Sequence, residues 1–523
     1  MGSVPPIPQR PRITVSVPDK PPINPLDCAG GLLYKLCVAP VLAFRQRLLI
    51  VALTLTGLLL PTRCMKPDHA PAHAGISGER FPFAGSPTPM WAGSWDSDGD
   101  SVSVRFAWGD GDTSEWSPYF IGPGEASMTH VWAAVGTHTV TAQAKDKRGA
   151  TSDWSSGHTI YVIHGWSRTF GSPSYEYGQS VQQTQDGGYI IAANSSVGNG
   201  VAWLIKTDAN GDTIWTRSFG GADRAWCNSA RQTADGGYII IAGLARGGNS
   251  CDLWFIKTDA NGDTTWTRRY SGTDGMGSVQ QTQDGGYVAV ANGAGGDDIW
   301  LLKVSADGDT TWTRTFGGPS VVWASSVEQT RDGGYVIAGE RTTTDSETVS
   351  TDMWLLKTDA NGDTIWTRTF GGSGTSWGAS VGQTQDGGYI ITGSSDTPGE
   401  SGLLLMKTDA RGNPVWVRGF GGATDAKGNS VEQTQDGGYV VAGVGPVDDV
   451  WLIKTDADGD TLWTRTFGWE PYSGGNCVEQ TQDGGYVVVG TTDLYGEGKE
   501  DVWLIRLEPD GLISAASRPA PER

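Results

Sequence analysis

The sequence predicts an all-β protein in which a seven-bladed β-propeller follows a smaller β-sandwich. The first observation is a repeat, because the motif DGGY occurs seven times at intervals of 47 to 54 residues, a period typical of propellers and solenoids. Its tyrosines are Tyr189, Tyr238, Tyr287, Tyr335, Tyr389, Tyr439 and Tyr486. The second observation is composition: 76 glycines and a charged fraction of 18% indicate many short strands joined by glycine turns.

Each repeat contains four predicted strands, which is the content of a propeller blade. In the first repeat they are SVQQT, GYIIAA, AWLIKTD and TIWTRSF. The two ends of the repeat region complement each other, since it opens with a fourth-strand motif, WSRTFG at 166–171, and its last unit stops after VWLIRLEPDG at 502–511. A closed ring leaves no exposed edge strand at its ends. We therefore predict a closed propeller over residues 164–512, followed by a tail at 513–523.

Residues 75–163 precede the repeats and alternate in polarity, as at Val102, Val104 and Phe106, which is typical of sandwich strands. This stretch resembles a PKD domain, an immunoglobulin-like module of surface proteins, in FAWGDGD at 106–112 and in HVW followed by GTHTVTAQAKDKRG. The resemblance implies a β-sandwich that acts as a spacer.

The repeats themselves resemble PQQ-like, quinoprotein-type propellers of exported bacterial and archaeal proteins, in strand pairs such as MWLLKTDANGDTIWTRTF at 353–370. Quinoprotein enzymes carry an adjacent cysteine pair beneath the cofactor, and this chain has no such pair. The resemblance therefore implies the fold and disfavours that chemistry.

Residues 1–64 have the pattern of a leader. Arg45 and Arg47 precede the thirteen apolar residues 48–60, which are too few for a membrane span and typical of a signal-peptide core. We expect export, to the cell surface or the medium, with a linker at 65–74. The sequence leaves open an ordinary cleavage, an uncleaved anchor and lipidation of Cys64, and only these features predict contact with a membrane.

Charge and histidine content exclude several functions. A net charge of −20 and a pI near 4.7 repel a phosphate backbone, so no nucleic-acid partner is expected. No histidine follows His164, which excludes a Ser/His/Asp or Cys/His centre within the repeats. No catalytic residue is predicted.

The most repeated motif, TDANGDTIWTRTFGG at 358–372, offers carboxylate oxygens that suit calcium and an indole that suits a ligand. Asn361-Gly362 is also a favoured hairpin turn, and Trp366 and Arg368 have counterparts in every blade. Equivalent residues of seven blades cannot all contact one ligand, so we interpret this motif as scaffold.

The sequence also offers one candidate calcium site and one candidate disulfide, and it does not decide either. Asp96, Asp98 and Asp100 alternate in DSDGD and form either a calcium site or an acidic turn. Cys227 and Cys251 fall within one blade, where a disulfide is compatible with an oxidising compartment. Calcium is the one cofactor that the sequence leaves open, and no other is predicted.

Function is expected where the blades differ. The DGGY and TDANGD turns share one face of the disc, here called the uniform face, whereas the variable second-to-third loops and blade connections share the opposite, variable face. The connections carry aromatic residues, namely Tyr175, Trp226, Trp323, Trp377, Trp469 and Tyr472. These rings form either a stacking platform for a glycan or protein partner, or additional core over the channel mouth.

The leading hypothesis is an exported, non-catalytic binding or adhesion protein whose variable face recognises a glycan or a cell-surface protein. One alternative is an enzyme, either a glycan-active hydrolase or lyase or a quinoprotein-like oxidoreductase. The other is a scaffold for envelope assembly.

Overall fold

The computed structural model describes residues 69–509, except 222, 246–250, 294–297, 319, 345–348, 372–373, 397–400, 423–424, 447–448, 469–472, 494 and 497–498. Every element in this part of the chain is a β-strand. The predicted leader, Cys64, Trp469, Tyr472 and the tail 513–523 lie outside the described residues. Within the described ranges no helix is long and apolar enough to cross a membrane.

The seven strands that precede residue 164 form a β-sandwich. They are β1 Gly75–Gly78, β2 Thr88–Ser94, β3 Ser101–Ala107, β4 Phe120–Ile121, β5 Gly124–His130, β6 Gly136–Asp146 and β7 His158–Val162. One sheet has the order β1-β2-β5 and the other the order β4-β3-β6-β7. Their inner faces bury alternating residues such as Met90, Val104, Phe106 and Val140, together with Trp132. The predicted sandwich is confirmed.

The repeats form seven antiparallel four-stranded blades around a ring. Blade one contains β9 Glu176–Gln183, β10 Tyr189–Ser195, β11 Val201–Thr207 and β12 Thr213–Gly220. Blades two and three contain β13 Ala225–Gln232, β14 Tyr238–Ala245, β15 Cys251–Thr258, β16 Thr264–Gln281, β17 Tyr287–Gly293, β18 Ile299–Val304 and β19 Thr310–Phe316. They share β16, which continues from the outer strand of blade two into the inner strand of blade three.

The remaining blades repeat the same order. Blade four contains β20 Val321–Gln329, β21 Tyr335–Thr344, β22 Val349–Thr358 and β23 Thr364–Phe370; blade five contains β24 Ser376–Gln383, β25 Tyr389–Ser395, β26 Gly402–Thr408 and β27 Pro414–Phe420. Blade six contains β28 Lys427–Gln433, β29 Tyr439–Val444, β30 Val450–Thr455 and β31 Thr461–Phe467; blade seven contains β32 Gly474–Gln480, β33 Tyr486–Thr492, β34 Asp501–Leu507 and β8 Gly165–Phe170.

The ring closes through its first strand. β8 pairs with β34, so that Thr169 lies opposite Trp503 and Trp166 opposite Arg506. The last blade thereby takes its outer strand from the beginning of the repeat region. The closure predicted from the complementary ends is confirmed.

The aspartate of each DGGY motif joins the second and third strands of its own blade. In blade five, Asp386 accepts hydrogen bonds from Thr384 Oγ1 at 2.6 Å and Gly388 N at 3.0 Å, and it pairs with the buried Lys407 Nζ at 2.8 Å. Arg506 replaces the lysine in blade seven. The motif tyrosine Tyr389 packs edge-to-face on Trp366 of the preceding blade at 5.8 Å. The motif is therefore structural.

The TDANGD turn receives two side chains from the preceding blade. Asp359 Oδ1 accepts hydrogen bonds from the backbone N–H groups of Asn361 at 2.9 Å and Asp363 at 2.8 Å. Gly362 has φ +81°, and a Cβ there would lie 2.7 Å from the Trp312 ring and 2.8 Å from Arg314 Cγ. Arg314 Nε pairs with Asp363 Oδ1 at 3.0 Å. These contacts support the interpretation of the motif as scaffold.

The sandwich contacts the propeller between blades six and seven. Phe83 stacks on Phe467 with ring centroids 5.8 Å apart, and Phe81 lies 6.4 Å from the same ring. Glu79 is buried and accepts a hydrogen bond from Gly468 N at 2.9 Å. Burial raises the pKa of Glu79 to about 7. The module is therefore attached by apolar packing around one buried carboxyl group.

Two glycine substitutions separate the backbone effect from the contact between blades. Gly387 also has a positive φ, +85°, but nothing lies within 4 Å of the position that a Cβ would take there. We expect Gly387→Ala to lower the free energy of unfolding by about 1 kcal/mol through backbone strain alone. Gly362→Ala should lower it by about 1–3 kcal/mol more, because the methyl group collides with Trp312 and Arg314. Calorimetric unfolding of both variants measures the difference, and equal effects would contradict the blade-to-blade contact.

Candidate functional site

The inner strand of each blade begins at the variable face and ends at a DGGY turn. These strands carry a β-bulge, which in blade four leaves Ser325 unpaired between Ala324 and Ser326. A bulge changes the direction of the side chains that precede it. The residues that line the channel cavity follow the bulge, as Ser326, Val327 and Glu328 do in blade four.

Aromatic residues share one position at the start of the inner strands, seven residues before the threonine of the DGGY turn. In blade order this position holds Tyr177, Trp226, Gly275, Trp323, Trp377, Lys427 and Gly474. We call its four aromatic residues the collar. Tyr177 is 38% exposed and Trp323 37% exposed. The collar thus presents aromatic surface at the channel mouth on the variable face.

The collar corrects the predicted placement of three tryptophans. Trp226, Trp323 and Trp377 were expected in connections between blades, whereas they lie within β13, β20 and β24. Trp226 and Trp377 are half-buried. The Trp226 ring covers Gly243, and Lys427 Nζ lies 5.9 Å from the Trp377 ring. Two collar rings are thus exposed and two also pack against the fold, and the choice between a ligand platform and additional core stays a prediction.

Tyr175 stands beside the collar in a polar surrounding. It is 38% exposed, and Lys499 Nζ donates to its hydroxyl at 3.2 Å and lies 4.6 Å from its ring. Burial and a hydrogen bond to Glu500 raise the pKa of Tyr177 to about 12. Two tyrosine rings, an ammonium and a carboxylate therefore lie together where blades seven and one meet.

A second set of side chains protects the open edge of five of the seven inner strands. The residue two positions before the threonine accepts a hydrogen bond from a backbone N–H of the next blade. For example, Glu432 Oε2 accepts from Gln480 N at 2.6 Å, and Glu479 Oε2 accepts from Gln183 N at 2.8 Å. In blade order this position holds Gln182, Arg231, Gln280, Glu328, Gly382, Glu432 and Glu479. All except Arg231 and Gly382 act as acceptors.

The next residue is glutamine in all seven blades and forms a complete ring of hydrogen bonds. Gln383 Oε1 accepts from Arg331 N of the preceding blade at 2.9 Å, and its Nε2 donates to Gly387 O of its own turn at 3.4 Å. The other six glutamines repeat the first contact. Because this column is invariant, it holds the blades together rather than selecting a ligand.

The inner strands enclose a cavity of about 440 Å³. Its charged lining residues are Glu328, Glu432, Glu479, Arg231 and Arg331, and serine hydroxyls and glutamine amides line much of the rest. Burial raises the pKa of Glu328 and of Glu432 to about 7, and it also raises the pKa of Glu479. Sequence analysis did not identify these charged residues. The signal was the position x of the V-x-Q-T pattern, because the residue at this position differs between blades.

The aspartates of DSDGD have separate partners. Asp96 Oδ1 accepts from Asp98 N at 2.7 Å, Asp98 pairs with His69 at 3.0 Å, and Asp100 Oδ2 lies 3.2 Å from Arg148 Nε. Hydrogen bonds from His69 lower the pKa of Asp98. A fourth aspartate, Asp146, lies opposite Val102 in the paired strands β6 and β3. The Oδ2 atoms of Asp96 and Asp146 are buried without a hydrogen-bond partner.

Another group with metal-ligand atoms lies in the sandwich. Asp110, Asp112 and His130 place one ligand atom each within 4.8 Å of one another. His130 Nε2 is already hydrogen-bonded to Asp110 Oδ2 at 2.6 Å, and its ring stacks on Trp108 at 4.7 Å. These contacts give the group a structural role in joining the WGDGD and HVW motifs.

The predicted disulfide between Cys227 and Cys251 is wrong. Cys227 pairs with Ala242 and Cys251 with Ala245 from opposite sides of β14. Strands on either side of a third lie about 9.5 Å apart, beyond the separation of about 7 Å that a disulfide can bridge. Cys227 Sγ instead contacts Ile241 O at 3.8 Å, and burial raises its pKa to about 12.

Comparisons with known proteins agree with this architecture. Residues 76–157 match the PKD domain model. A search of curated proteins found no match. Among solved structures, the PKD domain of an M14-like peptidase from a Thermoplasmatales archaeon is 26% identical, with coverage of 18% of this chain and 98% of that chain and a TM-score of 0.18.

Two further solved structures are similar to this chain. A quinoprotein alcohol dehydrogenase-like protein of Bacteroides thetaiotaomicron is 8% identical, with coverage of 76% of this chain and 97% of that chain and a TM-score of 0.36. Sqt1 of Chaetomium thermophilum is 10% identical, with coverage of 62% and 83% and a TM-score of 0.40. The strand pairing and the match over residues 76–157 together define an all-β protein with a PKD domain ahead of a propeller.

Proposed function

We propose that this protein is an exported, non-catalytic binding protein whose variable face recognises a glycan. PKD domains are typical of extracellular or surface proteins, which supports export. The collar is the observation that carries the proposal, because four of seven equivalent positions hold aromatic residues at one channel mouth. Two of these rings, Tyr177 and Trp323, are more than one third exposed. The same position holds glycine at Gly275 and Gly474, so the scaffold does not require an aromatic residue there.

The surroundings of the collar favour a neutral or weakly polar ligand such as a sugar. An aromatic ring presents an apolar face on which the C–H groups of a pyranose can pack. Lys499 and Glu500 beside Tyr175 and Tyr177 supply a hydrogen-bond donor and an acceptor for hydroxyl groups. The net charge of −20 disfavours an anionic ligand. A cell-surface protein is the second partner class that aromatic anchors fit.

Trp323 provides the test of glycan recognition. On a glycan array and then by calorimetry, Trp323→Ala should weaken binding of the selected glycan at least tenfold, which corresponds to about 1.4 kcal/mol. Trp154→Ala is the control, because Trp154 is 39% exposed but lies in the sandwich. Glycan binding that survives loss of Trp323, Tyr175 and Tyr177 would contradict the proposal. Turnover of a bound glycan would instead support the enzyme alternative, and a co-purifying envelope protein without glycan binding would support the scaffold alternative.

We further propose that calcium stabilises the sandwich at the two carboxylates of Asp96 and Asp146. The support is the pair of buried, unpartnered carboxylate oxygens on Asp96 and Asp146, since calcium prefers oxygen ligands. Asp98 is less suited, because His69 already contacts both of its oxygens.

Calcium should therefore raise the melting temperature of the protein, by an amount equivalent to about 2.7 kcal/mol at one hundred times its dissociation constant. Asp146→Asn keeps an acceptor for the backbone N–H groups of Arg148, Gly149 and Ala150 and should abolish the calcium effect. Asp153→Asn, at an exposed position of the same module, should retain it. A calcium-independent melting temperature would contradict this proposal.

A further inference from the structure

The collar tryptophans differ in whether the protein itself places a cation beside them. Arg224 Cζ lies 5.9 Å from the centre of the Trp226 ring. Lys427 Nζ lies at the same distance, 5.9 Å, from the centre of the Trp377 ring. Among the described residues no arginine or lysine takes such a position at Trp323, although this residue is 37% exposed. The most exposed tryptophan of the collar is therefore left without a cation from the chain.

A glutamate lies beside Trp323 instead. In the pairing of β20 with β21, Glu340 is directly opposite Trp323. Residues directly opposite each other in antiparallel strands have their side chains on the same face of the sheet, with Cβ atoms about 5 Å apart. The carboxyl group of Glu340 and the indole of Trp323 are therefore neighbours on one face of blade four.

This face of blade four is directed towards blade five. Val336 and Ala338 alternate with Glu340 along β21, and both belong to a cluster that includes Val381 of blade five. Met353, which lies opposite Glu340 on the other neighbouring strand, belongs to the same cluster. Glu340 thus continues this column beyond the apolar core, towards the variable face.

The residue at the position of Glu340 differs between blades. In blade order this position holds Asn194, Gly243, Asn292, Glu340, Ser394, Val444 and Thr491. Asn292 Oδ1 accepts a hydrogen bond from Ala324 N of the next blade at 2.8 Å. Asn194 makes the equivalent contact with Cys227 N. Within the described ranges the Glu340 carboxyl group makes no hydrogen bond and no ion pair, so the one charged residue of this column does not join blades.

The neighbouring cation does not neutralise Glu340. Arg341 is the next residue along β21, so its side chain points to the opposite face of the sheet, and its Nη2 donates to Ser320 Oγ at 3.2 Å. Burial raises the pKa of Glu340, and no positive charge offsets this effect. The next residue on the face of Glu340 is Thr342, whose hydroxyl oxygen lies 2.9 Å from that of Thr351.

We propose that Trp323 and Glu340 form a subsite for a sugar that carries a free amino group. The ammonium group pairs with the Glu340 carboxylate and takes the position beside the indole that a protein cation takes at the other two tryptophans, because the face of an indole attracts cations. The hydroxyl groups of Thr342 and Thr351 can hydrogen-bond to those of the sugar. The net charge of −20 favours a cationic group at this surface. This inference rests on the proposed glycan recognition and gives the sugar at blade four its chemical class.

Calorimetry on the full chain with a β-1,4-linked tetramer of glucosamine tests this assignment near neutral pH. Cellotetraose is the matched neutral probe, because it carries a hydroxyl group in place of each amino group. We expect the glucosamine tetramer to bind about tenfold more tightly than cellotetraose, since a hydrogen bond between two charged groups is stronger than one to a neutral hydroxyl.

Three variants assign the preference to its residues. Glu340→Gln should remove the preference by weakening the binding of the glucosamine tetramer alone, whereas Trp323→Ala should weaken the binding of both tetramers. Glu125→Gln, at an exposed position of the sandwich, removes the same charge from the protein and should leave the preference unchanged. The melting temperature of each variant reports whether it is folded before affinities are compared.

The outcomes separate this inference from the proposed glycan recognition. The inference is overturned if the glucosamine tetramer does not bind at millimolar concentration, if cellotetraose binds as tightly, or if Glu340→Gln retains the preference. An equal loss of preference in Glu125→Gln would also overturn it, because net charge would then be the cause. In each of these cases, an array-selected glycan whose binding is weakened by Trp323→Ala would still support the proposed function.

Discussion

The architecture depends on how the propeller satisfies the backbone N–H groups on the open edge of each inner strand. Unpaired edge groups promote aggregation, and buried ones are unfavourable. Here side-chain oxygens of one blade accept hydrogen bonds from the inner strand of the next, as Glu479 does for Gln183 across the closure of the ring. Ser430 makes an equivalent contact with Val478 N at 3.2 Å. The blades are therefore coupled around the circle, and β8 must complete blade seven for the coupling to close.

This constraint separates scaffold from function. Residues that join blades recur in nearly every copy, as the glutamines that precede the turn threonines and the tryptophans of the outer strands do. Departures from the repeat include the collar, its polar neighbours and the column that contains Glu328, Glu432 and Glu479. At that column both an amide and a carboxylate accept the hydrogen bond from the backbone N–H of the next blade. This contact therefore does not determine which of the two is present. The channel is thus lined by aromatic residues at the variable face and by glutamates in its interior.

The sequence correctly predicted the features that repeat. It did not predict residue placements that depend on which strands pair in three dimensions. Periodicity and complementary ends were sufficient for the blades and their closure. The placement of Trp226 and Trp377 depends on where an inner strand begins, and periodicity sets that boundary poorly. Asp146 joins the DSDGD loop only through the pairing of β3 with β6. The cysteines were misjudged because proximity along one blade does not reveal the strand that separates them.

The most direct test of the account is the ionisation of the channel glutamates, followed by carboxyl ¹³C NMR in the free protein. The account predicts that Glu328 and Glu432 titrate with pKa values of about 7, and that Glu432→Gln removes one of these transitions while the propeller stays folded. Titration of both groups near 4.5 would contradict it. In that case the carboxylates would be solvated acceptors equivalent to Gln182 and Gln280.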